Sequence, residues 1–219
     1  MRCSPPEPSG PGRWPVRRWQ RCTTGWASSG PTRPARVEAV SEPAIEFAAC
    51  VLGVAIGLPE PVAGELAAWR ARVGDLQAKK IPPHVTLLPP TRIETAVIPD
   101  VLRHLCDVAA VAVPFEMHLH GTGTFRPVSE VVFVTVASGI SYCELMEADL
   151  RSGPLERDIE FPYHPHVTVA HGVPAEMLDE AYDGLAGFDA RFTVDSFIAF
   201  EQDREGCWLP SQQFPFGQR

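Results

Sequence analysis

The tetrapeptide Pro-His-Val-Thr occurs twice in this chain, within "PPHVTLLPP" at residues 82–90 and within "HPHVTVAHG" at residues 164–172. The two histidines, His84 and His166, are 82 residues apart in a sequence that holds only seven, so the recurrence constrains the fold more than any other feature. Val, Thr and the apolar residues after them favour extended backbone, and proline is tolerated where a strand begins or runs along a sheet edge but not within a central strand. On a strand, residues two apart share a face. His84 and Thr86 therefore project together, away from Val85 and Leu87, and His166 and Thr168 project together, away from Val167 and Val169. A fold for this chain must bury one face of each motif strand and keep an imidazole and a hydroxyl on the other.

The elements around the motifs repeat as well. "CVLGVAIG" (50–57) is a short apolar run bounded by a turn, which reads as a buried strand. A helix follows, with Pro61 suited to its first position and Val62, Leu66, Trp69 and Val73 at helical spacing. After the first motif a second helix opens near Pro99 and carries Val101, Leu102, Leu105, Val108 and Ala109. "FEMHLHGTGTF" and "EVVFVTVAS" read as two strands joined by a glycine-rich turn, because Phe115, Met117 and Leu119 alternate with Glu116, His118 and His120. "CELMEADL" is a short helix. The second motif is followed by a helix from about Pro174 and a final strand pair, "ARFTVDSFIAF" and "GCWLP". The order strand, helix, motif strand, helix is thus written twice. This predicts an α+β fold of two pseudo-symmetric lobes of antiparallel sheet, with outer helices, facing each other across a central cleft.

Residues 1–40 stand apart from this pattern. They hold seven of the 23 prolines, seven arginines and only two acids, Glu7 and Glu38, with no strand or helix period. They read as a disordered or non-native extension ahead of one domain over residues 41–219. That domain carries 12 basic against 25 acidic residues, a net charge near −13. Such a surface repels long polyphosphates, so if the chain handles nucleic acid the substrate is a small or terminal group and not a duplex. The six cysteines form no C-x-x-C pair, and Cys50, Cys106 and Cys143 sit among apolar residues as buried thiols do. A reducing, cytoplasmic compartment is the expectation, with no membrane span and a monomeric chain.

Two imidazoles and two hydroxyls in one cleft suit in-line displacement at a phosphodiester. One base takes a proton from the nucleophile, one acid gives a proton to the leaving oxygen, and imidazole serves either role near neutral pH. The hydroxyls donate to non-bridging oxygens as charge shifts onto them. This chemistry needs no cofactor and no metal.

The paired "PHVTL" and "PHVTV" resemble the H-x-T/S-x signatures of the 2H phosphoesterase superfamily, the family of the 2′-5′ RNA ligase or RNA 2′,3′-cyclic phosphodiesterase. The resemblance spans roughly residues 45 to 210. It implies a bilobal, cofactor-free phosphoesterase acting on cyclic or 2′-5′ linked ribose phosphates, with His84 as acid, His166 as base, and Thr86 and Thr168 on the phosphate. Many RNA-acting relatives carry an arginine in an "HVTLAR"-like run where this chain has "HVTVAH", so that His171 takes its place. The alternative is a binding module that holds a nucleotide or phosphometabolite in the same cleft without turnover.

Three further features carry alternatives. "GTGTFRPVSE" (121–130) is a hairpin turn or a substrate loop in which Phe125 stacks on a ring and Arg126 meets phosphate. His118 and His120 offer two imidazoles on one strand face, but no Asp or Cys cluster adjoins them in sequence, so they read as solvent-facing or cleft-edge residues and no metal is assigned to them; a metal hydrolase built on the pair is the third reading. Lys79 and Lys80 precede the first motif as a solvated pair or as a basic entrance to the cleft.

Overall fold

A computed structural model of the chain describes residues 49–217. The expectation for residues 1–40, and the start of the domain at residue 41, lie outside the described residues. Eight strands and four helices follow in the order β1 (Ala49–Gly57), α1 (Val62–Arg72), β2 (His84–Glu94), α2 (Ile98–Val111), β3 (Phe115–Thr124), β4 (Val131–Ser138), α3 (Ile140–Leu150), β5 (His166–His171), α4 (Ala175–Gly184), β6 (Asp189–Val194), β7 (Ser196–Gln202) and β8 (Trp208–Pro215). Short 3₁₀ turns fill several of the connections.

The strands form two antiparallel four-stranded sheets, ordered β2-β1-β7-β8 and β5-β4-β3-β6. The orders match under a pseudo-twofold that exchanges β1 with β4 and β2 with β5, so each motif strand is an edge strand paired to the strand before its helix. The two edge strands, β2 and β5, touch each other. The helices are interleaved across this junction: α3 packs against β2 and α1 against β5. One continuous apolar cluster runs through both lobes, with Leu66, Val85, Leu87, Leu105, Met117, Leu150, Val167 and Leu178 all essentially inaccessible.

Two strand expectations are corrected by the pairing. The glycines of "HGTGT" do not make the turn; β3 runs through them to Thr124, and the turn is residues 125–130. Gly121 sits at positive φ where the β3–β4 register slips. At Gly123 a Cβ would meet the Phe133 ring at 2.5 Å, so the glycine there admits a neighbouring ring. The segment "ARFTVDSFIAF" is not one strand. It divides at Asp195, with β6 pairing to β3 in the second sheet and β7 pairing to β1 in the first, so the chain crosses between lobes there. Cys143 is buried and Cys50 partly so, but Cys106 is exposed, on the outward side of α2.

Candidate active site

The two motifs are built alike down to their irregularities. On β1 the partners of His84 and Thr86 are Gly57 and Ala55; on β4 the partners of His166 and Thr168 are Thr135 and Phe133. Val85, Leu87, Val167 and Val169 are fully buried on the core side, while the histidines and threonines are only partly covered. Both motif strands carry a register slip just past the threonine, opposite Val54/Ala55 in one lobe and Val132/Phe133 in the other. Bulges of this kind re-aim side chains next to sites. In the second lobe the slip returns His171, paired to Val131, to the side that Phe133 and Thr135 occupy, where it lies exposed at the end of β5.

Each imidazole is oriented in the same way. His84 Nδ1 lies 2.8 Å from the Pro82 carbonyl oxygen and His166 Nδ1 lies 2.7 Å from that of His164. A carbonyl only accepts, so Nδ1 carries the hydrogen and each Nε2 keeps its lone pair for the cleft. Burial pushes the His84 imidazole down to about 4, and the positive charges of Arg70 and His166 add to that, against the opposing hydrogen bond to Pro82. His166 is also lowered, chiefly by burial. The charge of one imidazole thus acts on the other, which agrees with the contact between β2 and β5. Among the described residues no protein group is hydrogen-bonded to the Thr86 or Thr168 hydroxyl.

The surroundings differ between lobes. Beside His84 and Thr86 a pocket of about 130 Å³ opens over Gly53, Ala55, Ile81 and Pro90 and is closed by Phe200 and Trp208. Beside His166 the space is filled by rings. Phe125 meets the imidazole edge-on at 5.0 Å between centroids, Phe133 lies at 5.0 Å, and His164 stacks at 6.1 Å. Phe125 therefore stands at the candidate site. Arg126 does not reach it as a free cation: its guanidinium is held by the Asp179 carboxylate on α4 at 2.7 Å and by the Thr124 hydroxyl. Asp179 is 53 residues away in sequence, so the pairing had no local signal.

Several supporting residues were not legible in the motifs. The hydroxyl of the half-buried Tyr163 donates to the Thr86 carbonyl at 2.9 Å and ties the second motif's approach to the first motif's strand. Arg70, buried on α1, pairs with Asp75 at 2.9 Å and donates to the Ile81 carbonyl, fixing the segment that enters β2. Trp208 is anchored through its backbone N–H to the Lys80 carbonyl. His118 and His120 are not without an acidic partner, as the sequence read alone implies. Strand β6 brings Asp189 to both, with Oδ2 at 2.9 Å from His118 Nε2 and 3.0 Å from His120 Nδ1. None of the helices is long and apolar enough to cross a membrane among the described residues.

Two four-stranded sheets with interleaved helices and paired H-x-T edge strands define an α+β bilobal fold of the 2H phosphoesterase type. The chain belongs to the 2′-5′ RNA ligase superfamily, whose model matches residues 58–206. A protein of Halalkalibacterium halodurans, named provisionally as a phosphoesterase, is 28% identical over 170 residues, covering 75% of this chain and 96% of its own length. A similarly named protein of Geobacillus kaustophilus is 27% identical over 167 residues, covering 75% of this chain and 95% of that one. Among solved structures, Escherichia coli LigT with NADP+ shares the fold with a TM-score of 0.58 at 19% identity, over 78% of this chain and 100% of that one. TT0787 of Thermus thermophilus does so with a TM-score of 0.53 at 22% identity, over 77% and 99%.

Proposed function

We propose that the chain hydrolyses a cyclic phosphodiester on a ribose-like substrate, 2′,3′-cyclic or a related linkage including 2′-5′ linked RNA, by acid–base catalysis between His84 and His166. The observation that carries this reading is the matched presentation of the two motifs: adjoining edge strands, the same face, and the same Nδ1 anchoring that leaves Nε2 for the cleft. One imidazole takes a proton from water as its oxygen forms the new bond to phosphorus. The other gives a proton to the ribose oxygen as the old P–O bond breaks, leaving a phosphomonoester. Thr86 and Thr168 donate to the non-bridging oxygens. The step itself calls on no metal. Structures of LigT hold NADP+, 3′-AMP and ATP, which supports a nucleotide-like occupant for the related cleft here.

In the ligand-free protein both imidazoles favour the neutral form, so the acid's proton is best acquired alongside the phosphate, whose negative charge raises a neighbouring imidazole. By this argument His84, the more strongly lowered, is the one more fully in the neutral form that a base requires, and His166 the one more readily protonated as an acid. The resemblance implies the opposite order, and the pseudo-symmetry accommodates either. An activated aryl leaving group, which needs no proton, restores turnover only in the variant that lacks the acid.

The primary test is turnover of 2′,3′-cyclic nucleotides, 2′-5′ dinucleotides and ADP-ribose cyclic phosphate in excess EDTA. The proposal expects hydrolysis of one of these classes, lost in His84→Ala and in His166→Ala. Binding without turnover of any of them, indifferent to pH between about 5 and 8, a range that spans the ordinary imidazole pKa, would instead establish the non-catalytic binding module that neutral histidines would also permit.

A further inference from the structure

We propose that His118, His120 and Asp189 form a binding site for a borderline divalent cation, Zn²⁺ above all, on the cleft face of the second sheet. The proposal is independent of the phosphoesterase reading. Two imidazole nitrogens and one carboxylate oxygen are the donor set of an open zinc site, in which three protein ligands leave a further position for water or another ligand. Here the three donor atoms lie within 4.8 Å of one another. They stand on strands, not loops: His118 and His120 at alternate positions of β3, and Asp189 directly opposite His120 on β6.

The geometry is close to what an ion requires. One carboxylate oxygen, Asp189 Oδ2, now draws both rings inward at 2.9 and 3.0 Å. A tetrahedral ion with ligand bonds of about 2.0 Å needs its donors about 3.3 Å apart: the two imidazole–carboxylate distances are a few tenths of an ångström short of that, and the two nitrogens lie within 4.8 Å of each other, so small side-chain adjustments bring the set onto an ion. Occupancy would replace the two ring hydrogens that face the carboxylate, leaving His118 protonated at Nδ1 and His120 at Nε2. Access is open, since the side chains of His120 and Asp189 are 56% and 55% exposed, while His118, at 13%, is held more firmly.

The local charge favours a cation. Arg191, opposite His118 on β6, is engaged by Glu116 at 3.2 Å, so with neutral imidazoles the two carboxylates outweigh the single guanidinium. The same balance argues against an anion at this place. The site also looks onto the cleft. Thr135, the β4 partner of His166, donates through its hydroxyl to the His120 carbonyl, which places His120 two strand spacings, about 10 Å, from His166 on one face of the sheet. An ion there lies beyond hydrogen-bond reach of His166 and outside the acid–base step, with its remaining coordination positions turned toward the cleft.

The test is titration of the tag-free, chelator-stripped full chain with Zn²⁺ by calorimetry and with Co²⁺ by visible absorption. One equivalent should bind. His118→Ala, His120→Ala and Asp189→Ala should each weaken it by at least about 10-fold, the lower end of what losing even a supporting partner costs a metal site. His166→Ala should leave it unchanged. Where an alanine variant fails to fold, the nitrogen resonances of the unmodified protein decide: His118 Nε2 and His120 Nδ1 should be the ones that move on adding Zn²⁺. Affinity indifferent to all three substitutions, abolished by His166→Ala, or accompanied by shifts at other imidazoles would overturn the proposal.

Discussion

The two lobes share a strand order, a motif and a bulge, yet their cleft faces are furnished in opposite ways. The residues paired to the motif in the first lobe are Gly57 and Ala55; in the second they are Thr135 and Phe133. Small partners leave a pocket that Phe200 and Trp208 close from behind, whereas Phe133, joined by Phe125 and His164, fills the corresponding space beside His166. Further across each sheet, the first lobe continues as an apolar shelf of Ala55, Ile198, Phe200 and Trp208, and the second as the polar row of His118, His120 and Asp189. The duplicated parts are those that would meet a phosphate. The divergent parts are those that would distinguish what is attached to it: a socket for an apolar ring in one lobe and an aromatic wall with a polar margin in the other.

If the shared parts carry the chemistry, removing either histidine should be the largest change. His84→Ala and His166→Ala are each expected to lower turnover by about 10² to 10⁴, with the double variant little worse than either single one, because acid and base act as a unit. Single-turnover rates on the substrate found in the screen measure this. Full turnover in both single variants would reduce the repeat to strand packing. Thr86→Val and Thr168→Val keep the β-branched shape but delete the donor, and each should cost about 10 to 10³ if the hydroxyls meet developing charge. A clear inequality between the two threonines would show that the pseudo-symmetry stops short of the phosphate.

The histidines also differ in their link to stability. Because burial holds folded His84 at about 4 while the unfolded chain takes its proton near 6.5, the unfolded state binds more protons between these values. Stability from this source is fully present above about pH 6.5 and is lost as pH falls through about 4, by at most about 3 kcal/mol. His166, lowered less, adds to the same trend. Urea unfolding across that range should show the decline, and His84→Gln should flatten it more than His166→Gln does. Equal flattening would mean that the two histidines are equally buried.

Ala55→Phe makes the first lobe copy the second at its most divergent pair. It should raise KM by about 10-fold with kcat little altered, the pattern of lost uniform binding, if the pocket holds the substrate's ring. An unchanged KM would move the ring elsewhere. The smallest effect belongs to the bridge between lobes. Tyr163→Phe removes one hydrogen bond to the Thr86 carbonyl and should cost about 1 kcal/mol in unfolding free energy.

The period-2 placement of His84, Thr86, His166 and Thr168, the doubled order of elements and the positions of α1, α2 and α4 were all legible in the amino-acid sequence. They follow from local rules, because alternation, proline placement and helical spacing act within a few residues. Partnerships across the sheets were not legible. That Arg126 is held by Asp179, that Asp189 joins His118 and His120, that Tyr163 spans to Thr86 and that Trp208 backs the pocket beside His84 all depend on which strands pair and in what register. The glycines of β3 misled for the same reason, since a glycine that admits Phe133 from the neighbouring strand looks, in one dimension, like one that turns the chain. Pairing is fixed by burying one continuous core through both lobes, a property of the whole chain. The sequence alone therefore set the chemistry this protein presents on each strand, and only the tertiary structure decided which groups stand beside it.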